Sequence, residues 1–434
     1  MKNLEVSLPF PNGEVFIPPS KSISHRMLIC AGLAEGESIL QNIAFSDDII
    51  ATKNGIKAFG AKIRYLGNYI SDKANDVAVK GIKLANIRDN LTIDCKESGS
   101  TLRFLIPIAL AYGKQVTFVG RGRLFDRPLD VFYDVFRKQG INYFMENDKP
   151  SLTVAGKLKP DTFNIEGNVS SQFISGLLFA LPLLEGDSLI ITTTPVESKA
   201  YIDLTIDALK RFDVKVENQD YEQFFIKGRQ IYKAADCRVE GDFSQGAFWL
   251  AAGVLGGSIT CFNLDINSHQ GDKYIVDIIR KMGAQPVIGK NFIKVEASNT
   301  HGVTVDAAQC PDLVPIVAVL GALSRGTTQI LNAGRLRIKE SDRLKAISSE
   351  LSHLGAKIVE LADGLIIEGR DMLDGGIVDS WNDHRIAMAL AVASVRCRNP
   401  VIIKHSDAVS KSYPGFWKDF IKLGGVVDEF DFRA

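Results

Sequence analysis

The apolar residues of this chain gather into six long runs dense in Ala, Leu, Ile, Val and Phe. They lie within SKSISHRMLICAGLAEGESIL from Ser20, SGSTLRFLIPIALAYGKQVTFVG from Ser98 and SSQFISGLLFALPLLEGDSLIITT from Ser170. The second half repeats the pattern in FSQGAFWLAAGVLGGSITCFN from Phe243, CPDLVPIVAVLGALSRGTTQILN from Cys310 and NDHRIAMALAVASVRCRNPVIIKH from Asn382. Each segment has a polar or charged start, an apolar helical run, a small-residue break and then a β-rich strand. The starts recur at roughly 70–80 residues, the sign of an internal repeat. A helix that is apolar over most of its circumference is a buried one. Gly113, Gly186 and Gly326, in the breaks, suit helix C-terminal caps.

Between these runs lie more polar helical stretches, such as DDIIATKNGIKAFGA and RPLDVFYDVFRKQG, each followed by strands. One unit therefore holds two helices and several strands, in a βαβαββ-type order. Three units can close around their buried helices into one domain, and six make two. The length of 434 residues likewise exceeds one ordinary core. The break between halves is expected near Val239, Glu240, Gly241 and Asp242, with the strand before Ser20 crossing back to the second half. The expected division is a discontinuous domain of residues 1–19 and 241–434 and a second domain of residues 20–240, with an active site in the cleft between them.

The helix starts carry the chemical signal. Four of the six open with Ser or Asn and a fifth is preceded by Asp242, all side chains of the kind that cap a helix N-terminus. Such termini present free N–H groups and a partial positive charge, and so bind anions. At a single start these residues need only be caps. Six starts that also bring Lys21, Arg26, Arg103, Asp312, His384 and Arg385 point to a shared anion site.

Charge agrees with a local rather than a global role for the cations. Lys and Arg total 51, and so do Asp and Glu, giving a formal net charge of zero. The broad basic footprint of a nucleic-acid binder is missing. The six cysteines stand singly, without a CxxC pair, so neither zinc nor redox chemistry is indicated, and reduced thiols of a cytoplasmic protein are expected. MKNLEVSLPFPNGEV reads as neither a signal nor a transit peptide. No run reaches the ~18 apolar residues needed to span a membrane.

Six clusters carry candidate chemistry. In PPSKSISHR, two prolines hold off the helix until Ser20, and Lys21, Ser22 and Arg26 then share its opening turns. ESGSTLR offers Gly99 for close backbone approach. GRGRLFDRP sets Arg121, Arg123 and Arg127 on one loop that can clamp an oxyanion. GNVSSQF and ESKAYID supply uncharged hydrogen bonds for a polyol from Ser170, Ser171, Gln172, Ser198 and Tyr201. RLRIKESDRLKAISSEL is expected to place Lys339, Glu340 and Arg343 on one helix face. WNDHR brings His384, a possible proton shuttle, and SKSYPGFW brings Lys411.

Taken in order, PPSKSISHR, SGSTLR, RP after an Arg loop, VSSQF, SKAYID, CPD, KESDRL, NDHRIAM and KSYPGF resemble the 5-enolpyruvylshikimate-3-phosphate synthases over the full length of the chain. The resemblance implies an α/β fold, a two-domain inside-out α/β barrel with three repeats per domain. It implies transfer of the carboxyvinyl group of phosphoenolpyruvate to the 5-hydroxyl of shikimate-3-phosphate, by addition and elimination. Lys21, Ser22, Arg26, Ser170, Ser171, Ser198, Asp312 and Lys339 match contacts of shikimate-3-phosphate, with Lys21 and Gln172 near both substrates. Gly99, Arg123, Arg343, Arg385 and Lys411 match contacts of phosphoenolpyruvate. Asp312 and Glu340 match the acid/base carboxylates, with Asp312 orienting or deprotonating the hydroxyl and Glu340 serving the methylene carbon. Lys21 would stabilise charge on phosphate and carboxylate, and His384 would orient Glu340 or relay a proton.

The sequence departs from the family pattern at Glu97 and Arg335, where many members have Asn, and at Phe104, where many have Pro. The expected partners are the two small-molecule substrates, acting on a cytoplasmic monomer without metal or organic cofactor, nucleic acid or membrane. Two alternatives stand beside this reading. A UDP-N-acetylglucosamine enolpyruvyl transferase shares fold and donor, but that family typically carries a reactive Cys in the Arg loop, which GRGRLFDRP lacks. A non-catalytic scaffold for sugar phosphates would have no use for Asp312 and Glu340 beside the anion clusters.

Overall fold

Every apolar run forms a helix. The computed structural model describes residues 2–67, 74–83, 87–146 and 150–430. The twelve α-helices among them are α1 (Lys21–Leu33), α2 (Asp47–Ala58), α3 (Gly99–Ala111), α4 (Asp130–Gln139), α5 (Ser171–Ala180), α6 (Lys199–Arg211), α7 (Phe243–Gly256), α8 (Ile275–Lys281), α9 (Val314–Ala322), α10 (Arg343–His353), α11 (His384–Ala393) and α12 (Phe416–Lys422). The six runs are α1, α3, α5, α7, α9 and α11. All ten residues of α11 and all nine of α9 are buried, as the all-round apolar pattern requires. The intervening helices are one-sided: α4 buries only Val131, Phe132, Val135 and Phe136.

The chain divides into two compact units, a discontinuous one of Met1–Pro18 with Glu240–Ala434 and a continuous one of Pro19–Val239. Each holds three four-stranded sheets among the described residues, and each sheet mixes parallel and antiparallel pairs. The N-terminal strand Leu4–Ser7 lies inside a sheet, antiparallel to both Val401–Lys404 and Val426–Glu429. Asn12–Phe16 pairs in parallel with Ser258–Phe262. Residues 2–18 are thus built into the second half of the chain. Each unit has its own apolar core, with Trp249 fully buried in the discontinuous one and Phe104, Phe118 and Phe179 in the continuous one.

Capping follows the sequence closely. Ser20, Ser98, Ser170, Asp242 and Asp383 each accept a backbone N–H of the helix they precede. The exception is the Cys310 segment, where Pro311–Leu313 forms a 3-10 turn that leads into α9 without a side-chain cap. The glycine expectation needs correction. Gly113 takes the left-handed conformation just past Tyr112, the cap of α3, with φ of 65°. Gly326 also has positive φ but stands beyond the end of α9, in the turn before the strand Thr327–Leu331. Gly186 is absent from the positive-φ residues; a Cβ there would lie 3.1 Å from Pro160.

No described helix is long and apolar enough to cross a membrane. Five of the six cysteines are buried, and all six are free thiols.

Candidate active site

The predicted site residues form two groups, one within each unit. In the continuous unit they cluster at the N-terminal ends of α1, α3, α5 and α6. Pro18 and Pro19 keep the chain extended, Ser20 caps α1, and Lys21 is its first residue. The Lys21 ammonium meets Asp48 of α2 at 2.8 Å, and Lys96 meets Asp47 at 2.6 Å. Arg26 is buried and fully engaged: Nε donates to Thr205 Oγ1, Nη1 to the Ser22 carbonyl and Nη2 to the Tyr201 carbonyl. Burial lowers its guanidinium to about 10. Its cationic carbon also lies 5.2 Å from the centre of the Phe104 ring. Arg26 therefore braces α1 against α6.

Gly99 opens α3, and a Cβ there would fall 2.6 Å from Arg127 Nη1. The missing side chain thus makes room for a buried guanidinium as well as exposing the backbone. Of the loop arginines, Arg121 and Arg123 are exposed, while Arg127 is buried. Glu97 tucks against Gly122 of that loop, whose Cβ would meet the Glu97 carboxyl carbon at 2.9 Å. Arg103 donates through Nη1 to Gln172 Oε1 and through Nη2 to the Pro128 carbonyl, each at 2.8 Å. Gln172 passes its amide on to Ser100 Oγ at 2.9 Å. Ser170 caps α5, Ser171 is its first residue, and Ser198, at φ of 54°, immediately precedes α6 with Tyr201 in its first turn.

The discontinuous unit holds a tighter arrangement. Arg343, the first residue of α10, is 1% exposed and binds three carboxylates. Its Nη1 meets Asp312 Oδ1 at 2.9 Å, its Nη2 meets Glu340 Oε2 at 2.8 Å, and its Nε meets Asp383 Oδ2 at 2.7 Å. Burial alone would lower its guanidinium, but Asp383, Glu340 and Asp312 outweigh it and hold the proton well above the ordinary range. Asp312 also accepts from Arg385 Nη2 on its second oxygen, at 3.1 Å. Asp383 is fully buried; besides Arg343 it receives the Ser341 hydroxyl and the Arg385 backbone N–H. Burial would raise its carboxyl, but Arg343 and His384 reverse this and keep it below its usual value. His384 is buried with Nδ1 3.7 Å from Asp383 Oδ1. Lys339 is half-buried, and desolvation lowers its ammonium to about 8, opposed by Asp312. Lys411 donates to the Asn382 carbonyl at 2.6 Å.

One expectation fails here. Lys339 and Glu340 do not lie on a helix face with Arg343. Asp342 caps α10 by accepting the Lys345 N–H, so the helix begins at Arg343 and Lys339 stays extended. Glu340 still reaches Arg343, from the loop.

Sequence reasoning missed the acidic partners. Asp383 hid inside the capping pattern of NDHR, and Asp47 and Asp48 inside a polar helix start. Asp272 carried no signal. It is a buried carboxylate that accepts the Ser244 hydroxyl, and burial followed by repulsion from Asp312 raises it to about 7. Arg103 and Arg127 were read in their motifs as members of anion-binding clusters, but neither was given a substrate contact of its own. Among the described residues no cluster of His, Cys, Asp and Glu could hold a metal ion.

Comparison with known proteins supplies the remaining evidence. Residues 11–420 match the family described as EPSP synthase (3-phosphoshikimate 1-carboxyvinyltransferase). The chain is 57% identical over 431 residues to the 3-phosphoshikimate 1-carboxyvinyltransferase of Clostridium novyi, covering 99% of each chain. It is 52% identical over 430 residues to that of Clostridium kluyveri, again covering 99% of each. Among solved structures it is similar to an EPSP synthase from Acinetobacter baumannii, with a TM-score of 0.82 at 22% identity, covering 99% of this chain and 100% of the other. The enolpyruvyl transferase NikO from Streptomyces tendae gives a TM-score of 0.79 at 17% identity over 99% of each chain. At such identities the structures establish the α/β enolpyruvyl transferase fold.

Proposed function

Since the chain belongs to the EPSP synthase (3-phosphoshikimate 1-carboxyvinyltransferase) family, we propose that its two residue groups divide the labour of that reaction between anion binding and proton transfer. The reaction is transfer of the carboxyvinyl group of phosphoenolpyruvate to the 5-hydroxyl of shikimate-3-phosphate, giving 5-enolpyruvylshikimate-3-phosphate and phosphate. The hydroxyl oxygen adds to C2 of the enol and gives up its proton, which ends on the departing phosphate, while the methylene carbon gains another. The tetrahedral adduct then expels phosphate and returns a proton from its methyl group.

The observation that carries the residue assignment is the convergence of Asp312 and Glu340 on one buried guanidinium, that of Arg343. It fixes two carboxylates of different surroundings side by side, as a reaction with two proton events requires. Asp312 has one oxygen on Arg343 and the other on Arg385, which favours orienting the 5-hydroxyl over removing its proton. Glu340, on a loop and held through Arg343, protonates the methylene carbon and takes a proton back from the methyl group. Lys21 and Arg123 neutralise developing charge on phosphate and carboxylate, with Lys411, Arg385 and the amides around Gly99 completing the phosphoenolpyruvate contacts. Ser22, Ser170, Ser171, Ser198, Tyr201 and Lys339 receive shikimate-3-phosphate, and Gln172 lies near both ligands. Arg26 and His384 support neighbours: Arg26 through α6, and His384 through Asp383. The enzyme is read as a cytoplasmic monomer.

A phosphate-release assay tests this. With phosphoenolpyruvate, shikimate-3-phosphate supports turnover and UDP-N-acetylglucosamine does not. Glu340→Ala keeps shikimate-3-phosphate affinity within about tenfold, while turnover falls by roughly 10²-fold or more. Near-normal turnover in that variant refutes the role of Glu340.

A further inference from the structure

His25 stands beside Arg26 in α1, is 1% exposed, and belongs to none of the groups above. It begins a buried chain of hydrogen bonds that crosses three helices. Its Nδ1 lies 2.7 Å from Thr52 Oγ1 of α2, and that oxygen lies 2.7 Å from Thr101 Oγ1 of α3. Thr101 donates its hydroxyl to Ser98 Oγ at 2.7 Å, and its backbone N–H goes to the same oxygen at 3.1 Å. Ser98 is the cap of α3, so the chain ends on the turn that carries Gly99 and Ser100.

Proton counting fixes the direction. A hydroxyl has one proton and accepts with its lone pairs. Thr101 gives its proton to Ser98, so Thr52 must donate to Thr101. Thr52 then has only lone pairs left for His25, and Nδ1 must carry the ring proton. The bare Nε2 is buried without a hydrogen-bond partner among the described residues. The ring is edge-on to Phe104, at 6.4 Å between centroids. Burial, followed by the charges of Lys21 and Arg26, holds it neutral. Thr52 and Thr101 are fully buried, so a missing donor leaves a lone pair that water cannot satisfy.

We infer that His25 is a positioning residue which, through Thr52 and Thr101, fixes the opening turn of α3 for phosphoenolpyruvate. The link to substrate rests on the proposal that this turn meets phosphoenolpyruvate; the hydrogen-bond relay stands on geometry alone. Breaking the relay at either end loosens the same turn, so His25 and Thr101, on different helices, share one phenotype. An Asn amide can place a donor near the position of Nδ1, whereas Phe keeps the ring contact and removes the donor.

The test is nitrogen NMR of the full chain labelled at histidine, with kinetics of His25→Phe, His25→Asn and Thr101→Val. The expected spectrum shows a neutral ring protonated at Nδ1 that does not titrate between about pH 5 and 9. His25→Phe and Thr101→Val raise the KM for phosphoenolpyruvate about tenfold with kcat within about threefold, and His25→Asn stays within about twofold of wild type. A proton on Nε2, or titration near pH 6.5, overturns the relay. An Nδ1 proton with unchanged KM in both disruptive variants overturns the link to substrate. Backbone amide shifts of Gly99 and Ser100 on adding phosphoenolpyruvate with shikimate-3-phosphate check the site proposal separately, and their absence refutes it together with the substrate half of this inference.

Discussion

The mouths of α1 and α10 both carry cations beside acids, but they are built in opposite ways. At α1, Lys21 pairs with Asp48 and Lys96 with Asp47, each pair retaining some contact with solvent. Apart from Arg26, which is held by a hydroxyl and two backbone carbonyls, the buried polar groups of the relay there are neutral, a histidine and three hydroxyls passing protons in one direction. At α10 a single guanidinium, 1% exposed, holds three carboxylates, and one of these holds a second arginine. The first arrangement can be exchanged. A phosphate or carboxylate of a ligand can replace Asp48 on Lys21 at little electrostatic cost. The second is over-determined, because removing any one member leaves a buried charge without its counterpart. Binding calls for the exchangeable kind, and carboxylates that must keep fixed positions through two proton transfers call for the other.

The largest effect is expected where the over-determined region is broken at its centre. Arg343→Met leaves Asp312, Glu340 and Asp383 without their shared cation. Activity falls by about 10³-fold or more, and urea unfolding shows a loss on the order of 3–5 kcal/mol. Retention of either property would mean that the three carboxylates find other partners and that the contrast with α1 is false.

A sharper comparison uses pH. Desolvation lowers the Lys339 ammonium to about 8, so the free enzyme loses this charge as pH climbs through that value. The KM for shikimate-3-phosphate therefore rises above about pH 8, and Lys339→Arg, which stays charged, abolishes the rise. Stability moves the other way. The unfolded chain keeps this proton up to about 10.4 and so binds more protons than the fold between the two values, and the penalty of burying Lys339 shrinks as pH rises through that window. Initial rates and urea midpoints in wild type and Lys339→Arg measure both slopes.

The smallest effect is expected at the exchangeable pair. Asp48→Asn removes the acid that occupies Lys21. Stability changes by less than about 1 kcal/mol, and the KM for phosphoenolpyruvate falls by about two- to threefold as one competing carboxylate is removed from the ammonium. A large loss of stability would show that Lys21 and Asp48 form a fixed structural pair, like those at Arg343.

These contrasts also explain what the sequence could reveal. The helices α7, α9 and α11 were legible because they are apolar on every side, a pattern that only burial produces. Five caps were legible because Ser and Asp act on the next turn of their own helix. Lys339 and Glu340 were misplaced because i, i+3 and i, i+4 spacing presumes a continuous helix, and Asp342 starts that helix two residues after Glu340. The partnership of Arg343 with Asp383 spans forty residues and leaves no periodic trace. Arg127 beside Gly99 is hidden for the same reason, since a glycine records the space it leaves but not what fills it.

The strand Leu4–Ser7 has a consequence in time. Its neighbours, Val401–Lys404 and Val426–Glu429, lie roughly four hundred residues further on. During synthesis at about 5–20 residues per second, the first strand waits on the order of 20–80 s for a partner. Pro19–Val239 is meanwhile complete and can fold while the remainder is still being made. The opening residues of the chain are thus among the last to find their place, and over that interval their unpaired backbone is open to strands of other molecules.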